Sequence, residues 1–227
     1  AIRQYVVAQV NLQTLAPTSL RWVVAILAAL SVVGLYVVFL MIERGNVDAK
    51  LARRSPDPAQ NARIRQVMTD INGRIGAYLA LKTLLSVLLG LATWVILALF
   101  GVELAVFWAL VVGLLNYVPY IGSVLGVALP VMFALLQFGD LKSVLGLTAA
   151  LGAVQFLNGN LLDPYLMGNS LNLSPFVILV SLTVWSALWG IPGAFLAVPI
   201  TACIVMILAE FSGSRPLAVL LSQKGEV

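Results

Sequence analysis

Residues 114–126, LLNYVPYIGSVLG, constrain the fold more than any other stretch. They interrupt a long apolar region with residues that a continuous membrane helix excludes. Pro119 lacks a backbone N–H and disfavours an α conformation at Val118, and Gly122 removes side-chain restraint just beyond it, so a helix is expected to stop here. Asn116, Tyr117, Tyr120 and Ser123 put polar groups beside the break. In lipid, backbone freed from helical hydrogen bonds is tolerated only against protein or a water-filled cavity, so the segment is expected to line one. Restoring helix propensity with Pro119→Ala and Gly122→Ala is accordingly expected to leave stability similar or better while impairing function.

The surroundings of the break are those of a membrane protein. Hydrophobic residues make up 61% of the 227-residue chain and charged residues 10%, with a mean hydropathy of +1.04; a soluble domain carries about 25% charged residues. The uncharged run 22–42 is too long for the ~10-residue alternating strands of an outer-membrane barrel, so the class is all-α, a polytopic helical membrane protein. There is no histidine, and the single cysteine, Cys203, sits in an apolar run. Disulfide frameworks, Cys/His zinc sites and histidine-dependent triads are thereby excluded, and neither a metal nor a cofactor is expected. The net charge of +4 comes from a basic loop and not from a nucleic-acid surface, since seven of the thirteen Lys/Arg residues lie between Arg44 and Arg74.

In chain order, residues 1–20 read as the end of a preceding helix or linker, 21–211 as the transmembrane domain, and 212–227 as a cytoplasmic tail. The chain opens on Ala1 with no recognisable signal peptide, as a piece of a longer protein would. Residues 22–42 form a first span of about 31 Å. Arg44, Lys50, Arg53, Arg54, Arg63, Arg65 and Arg74 then mark the cytoplasmic side. Within this 43–75 segment, Ile64, Val67, Met68, Ile71 and Ile75 share one helical face, which suits an interfacial helix against membrane lipid. A second span, 75–100, contains Lys82, whose ammonium is expected to snorkel to the boundary sooner than pair inward; an inward partner would be a carboxylate.

Two short apolar arms, 104–116 and 121–137, flank the opening break, either as tilted spans or as halves of a re-entrant hairpin. The next span, 143–162, gathers Gln155, Asn158, Asn160 and Asp163 toward its end. A second broken region follows, with arms 175–189 and 194–209 around Gly190, Pro192 and Gly193. Parity puts the open ends of the two pairs on opposite faces. Gly/Pro-interrupted segments in corresponding positions of two halves are the sequence pointer to a secondary transporter of inverted architecture.

Four stretches, YLALKT (78–83), LNYVPYIGS (115–123), GNLLDPYLMG (159–168) and LAVPIT (196–201), resemble in the right order those of the autoinducer-2 exporter family of bacterial inner-membrane transporters. The resemblance implies a multi-pass permease of the bacterial inner membrane. It also implies assembly as a homo-oligomer, such as a pentamer, export of a quorum-sensing signal or sodium/proton exchange, and further helices ahead of residue 22. Tyr120 departs from the family pattern, where asparagine is common, and so bears on selectivity.

The function expected from these readings is secondary transport of a small polar solute or ion. Asn116, Tyr120, Ser123, Gln155, Asn158 and Asn160 would supply hydrogen bonds, and Asp163, with Lys82 as possible charge partner, is the candidate carrier of a coupling proton or cation. No Walker lysine motif is present, so an ion gradient or the solute's own gradient is the expected drive. A passive channel is the alternative within membrane transport. An intramembrane aspartyl protease built on Asp140 and Asp163 fits less well, because Gln137 stands where the Gly-x-Gly-Asp pattern of that class has its first glycine, and Lys142 marks a surface.

Overall fold

The computed structural model describes residues 31–43, 58–167, 171–211 and 213–225. The chain divides into two compact units, Ala1–Ile64 and Arg65–Val227. Among the described residues, regular structure is helical apart from one antiparallel bridge between Leu173 and Ser222. Four helices among the described residues are long and apolar enough to cross a bilayer: Asn61–Leu99, Ile121–Phe138, Leu141–Met167 and Ile191–Glu210. The all-α membrane class follows from these together with three shorter apolar helices.

In the first unit, helix α1 (Ser31–Glu43) is exposed along its whole length. The remainder of the expected first span, at 22–30, and the basic residues Arg44, Lys50, Arg53 and Arg54 lie outside the described residues. Helix α2 (Pro58–Leu99) corrects one expectation: the interfacial helix and the second span are a single uninterrupted helix of 42 residues. No proline falls between 59 and 99. Gly73 and Gly76, which could have hinged the two parts, have no neighbour within 4 Å of a notional Cβ and so nothing to bend around.

The second unit is organised by two helical hairpins. In the first, α3 (Ala105–Leu115) and α4 (Ile121–Phe138) flank the break at 116–120. Its open end packs with the end of α2, where Ala105, Trp108, Phe133, Ala134 and Phe138 surround Leu97 and Val102. Gln137 ties that end shut: its Oε1 accepts from the Glu103 N–H at 2.8 Å, and its Nε2 donates to the Gly101 carbonyl at 2.8 Å. From the same end, capped by Asp140, α5 (Leu141–Leu157) runs back through a π-helical turn (Asn158–Leu162) into the short α6 (Asp163–Met167).

The second hairpin, α7 (Pro175–Trp189) and α8 (Ile191–Glu210), points the other way. Val177, Val205 and Ala209 at its open end pack with Ile75 and Tyr78 near the basic end of α2, together with Ala218 of α9 (Arg215–Leu221). The hairpins overlap side by side. Val118 from the first break is buried against Leu182 and Ala197 midway along the second hairpin, and the Tyr117 ring stacks on Phe195 at 5.7 Å.

Both breaks use one device, a glycine in the first turn of the outgoing helix pressed against a carbonyl of the incoming one. A Cβ on Gly122 would overlap the Leu115 carbonyl oxygen, and a Cβ on Gly193 the Trp185 carbonyl oxygen. This corrects the expectation that Gly122→Ala is tolerated. The glycine is there for close approach of two backbones, a constraint that helix propensity does not register.

Candidate functional site

Between the first break and the π-turn lies a cavity of about 680 Å³. Its lining includes Asn116, Pro119, Tyr120 and Ser123 from the break, Gln155, Asn160 and Asp163 from the α5–α6 region, and Tyr78 and Lys82 from α2. The first hairpin, α5 and α2 thus bring together most of the polar residues singled out in the sequence. Gly122 lies beneath the break against Leu115. Gly190, Pro192 and Gly193 are elsewhere, at the tip of the second hairpin; that hairpin reaches the cavity only through apolar Ile178 and Val198.

The break is strained where it faces the cavity. Tyr120 has φ 62 and ψ −54, and the Ile121 N–H donates to the Pro119 carbonyl at 2.7 Å. These are the marks of the rare γ-turn with positive φ. Such a conformation in a residue with a ring costs about 1–3 kcal/mol and persists only where its surroundings impose it. Here they do: Val118 is clamped behind it and Gly122 is locked against α3.

Behind the cavity wall runs a buried polar chain. The Asn158 amide donates to Asn116 Oδ1 at 3.0 Å, and the Asn116 amide donates to Ser86 Oγ at 3.1 Å. Asn116, Asn158 and Ser86 are all buried, so Asn158 stands behind the cavity, where its amide holds the break to the π-turn. One helical turn from Ser86 along α2, the Lys82 ammonium meets Asp163 Oδ2 at 3.0 Å. Lys82 is 5% exposed. The expected snorkelling is therefore corrected: a carboxylate within reach, four residues from the Ser86 contact, draws the charge inward where water would otherwise have held it.

The π-turn sets this register. The Asp163 N–H donates to the Asn158 carbonyl five residues back, so Asn158 and Asp163 stand one wide turn apart and meet Ser86–Asn116 and Lys82 respectively. Each also carries an acceptor without a partner: Asn158 Oδ1 and Asp163 Oδ1 are buried and make no hydrogen bond. Unmatched buried acceptors are costly, and in native proteins they commonly mark a bound group or a functional site. Asn160 is exposed and spends its amide on the Phe156 carbonyl at 3.1 Å.

Tyr78, Ser86, Asn172 and Gln223 were not singled out from sequence. Tyr78, Lys82 and Ser86 recur every four residues along α2. That polar stripe, in a helix otherwise apolar at this depth, was the readable signal for the first two. Asp140 and Asp163, the pair an aspartyl protease would need, sit toward opposite ends of one continuous helical segment, about 35 Å apart at 1.5 Å rise per residue. They cannot share a proton. Among the described residues, no group of three or more His, Cys, Asp or Glu side chains could hold a metal ion.

The profile described as AI-2E family transporter matches residues 6–213. The chain belongs to that family. It is 35% identical over 188 residues to the AI-2 transport protein TqsA of Escherichia coli, which covers 83% of this chain and 54% of the relative. It is 36% identical over 185 residues to the YhhT protein of the same organism, at 82% and 52% coverage. A transport-family protein of Borreliella burgdorferi is 34% identical over 200 residues, covering 88% of this chain and 55% of that protein. The chain thus spans about half the length of the curated relatives it matches, and with its apolar helices it is a membrane protein of a transporter family.

Proposed function

We propose that this AI-2E family chain carries the solute-handling core of a secondary transporter in the bacterial inner membrane, and that the cavity between the first break and the π-turn is its solute site. The observation that carries this reading is the cavity itself, in which amides, a strained tyrosine and an ion pair between buried Lys82 and half-buried Asp163 converge from three elements at a depth where apolar side chains would otherwise pack. Inverted broken helices around a polar centre are the recurrent architecture of secondary transporters. The lining offers donors and acceptors around a charge-compensated pair, which suits a small neutral polar solute; by relationship to the AI-2 transport protein TqsA, a quorum-sensing signal is the leading candidate.

Asp163 is the coupling residue in this reading. Its Oδ2 is held by Lys82, and its buried Oδ1 is open to a proton or a small cation. Loading of that oxygen would weaken the hold on Lys82 and so loosen the π-turn, which Asn158 ties to the first break. The basic segment through Arg63, Arg65 and Arg74 faces the cytoplasm, and homo-oligomers place the lipid-facing apolar helices against neighbours as well as lipid. The test is flux of a panel of small polar solutes, autoinducer-2 among them, into proteoliposomes under imposed proton or sodium gradients. Saturable, gradient-driven accumulation of one of them is expected. Flux that neither saturates nor responds to a gradient would favour a passive channel and contradict the proposal.

A further inference from the structure

The segment after the second hairpin closes back on the cavity. Ser214 Oγ donates to the Leu208 carbonyl at 2.8 Å, turning the chain out of α8. Ala218 of α9 is then fully buried among Tyr78, Val177, Val198, Ala202 and Val205. Beyond α9 the chain pairs edge to edge with residues 172–174, just ahead of α7. The Ser174 N–H donates to the Leu221 carbonyl at 3.1 Å, and the Gln223 N–H donates to the Asn172 carbonyl at 3.0 Å, with Leu173 and Ser222 opposite one another. The Lys224 N–H adds a bond to Asn172 Oδ1 at 3.3 Å. Asn172 sits at φ 46, a left-handed conformation that asparagine tolerates better than most residues. Asn172, Leu173 and Gln223 all line the cavity that also holds Lys82, Asp163 and Asn116.

We propose that residues 222–224, strapped to 172–174, are the movable rim of this cavity at its basic end, and that Gln223 presents its amide to solute passing there. The inference rests on the reading of the cavity as a solute site. The strap suits a gate for a physical reason. One face of α9 is anchored through Ala218, while Leu217 and Leu220 are 56% and 76% exposed. The rim itself is held by hydrogen bonds to Asn172 and to the last carbonyls of α9, and its one buried side chain, Ser222, is polar, so residues 222–224 add no apolar side chain to the core. Short segments with few buried apolar contacts open at low free-energy cost, while a buried anchor keeps them in place to reclose.

The test reads gate opening without requiring knowledge of the solute. In a Cys203→Ala background, Ser123→Cys places a reporter thiol in the cavity, and a water-soluble maleimide is applied to the basic face of oriented vesicles. Labelling of the peptide containing residue 123 is followed by mass spectrometry. Leu173→Cys with Ser222→Cys supplies a lock, since a directly opposed, non-hydrogen-bonded antiparallel pair has Cα atoms about 4.5 Å apart, within disulfide range. The oxidised lock is expected to slow reporter labelling about tenfold relative to the same protein without the lock cysteines, and Asn172→Ala, which loosens the strap, to speed it. Equal labelling rates in the oxidised-lock and lock-free proteins would overturn the gate. Should the lock pair fail to fold, an Asn172→Ala rate equal to the parent's would overturn it as well. If labelling responds to the lock while no solute in the flux panel is transported, the strap stands and the transport reading falls.

Discussion

Lys82 and Asp163 show how a single contact decides what a residue means. A lysine two turns inside a membrane helix has water within reach of its flexible stem. It points inward here because Asp163 is presented at 3.0 Å by the π-turn. Removing one member of a fully buried pair costs about 3–5 kcal/mol, whereas replacing both with apolar residues of similar volume is often neutral; Asp163 keeps 27% of its side chain exposed, so the cost here is smaller. Lys82→Met is therefore expected to lower the unfolding midpoint in detergent, and the Lys82→Met/Asp163→Leu double variant to recover most of the loss. Equal midpoints for the single and double variants would mean that the pair is not coupled. At Tyr120 the expectation runs the other way. Because its backbone lies at positive φ, Tyr120→Gly should relieve strain and raise stability by about 1 kcal/mol even as it removes a ring from the cavity. A clear drop in the midpoint would show that the ring's packing outweighs the backbone strain.

Among the elements, the two hairpins share a construction that the sequence discloses only in part. Pro119 and Gly190 announce where helices must stop, and both breaks lie where proline and glycine rules put them. Those rules are local. They do not say that Gly122 and Gly193 lie against carbonyls of the opposing arms, because that follows from how closely the arms pack. Gly193→Ala is consequently expected to destabilise the second hairpin by about 1–3 kcal/mol or more, as overpacking against an immovable backbone does, and thermal unfolding with far-UV circular dichroism reads the loss. The π-turn was likewise invisible. Gly159 and Pro164 are residues that loosen a helix, but the extra residue that aligns Asn158 with Asn116 and Asp163 with Lys82 is set by contacts 42 and 81 positions away. At the other end of α5, Asp140 caps the helix. The Ser143 hydroxyl, then the Ser143 and Lys142 backbone N–H groups, hold its carboxyl below the ordinary aspartate range. A depressed folded-state pKa means that the cap's contribution is present above the unfolded value of about 4 and is lost as pH falls through the folded one. Asp140→Asn should therefore weaken the acid dependence of unfolding below about pH 4 and leave neutral-pH behaviour nearly unchanged, as an acid titration monitored by circular dichroism will register.

For the whole molecule, the second unit is a pair of oppositely directed hairpins laid side by side, with α2 and α5 contributing the polar stripe and the π-turn that face the first break. Composition and periodicity disclosed the membrane class and the two breaks. What they left out is which break faces the polar cluster: the first does, through Asn116, Tyr120 and Ser123, while the second contributes an apolar wall. The proposed mechanism turns on Asp163 coupling solute movement through this cavity to an ion gradient. Its most direct test is accumulation of the transported solute in proteoliposomes under imposed proton and sodium gradients, comparing the parent protein with Asp163→Asn protein of verified fold and insertion. Asn keeps the size and hydrogen bonding of the side chain and removes its titrating charge. With the coupling role at Asp163, the variant is expected still to bind and equilibrate solute but no longer to accumulate it, and its flux to lose dependence on pH and sodium. Accumulation with the pH and sodium profile of the parent would contradict it.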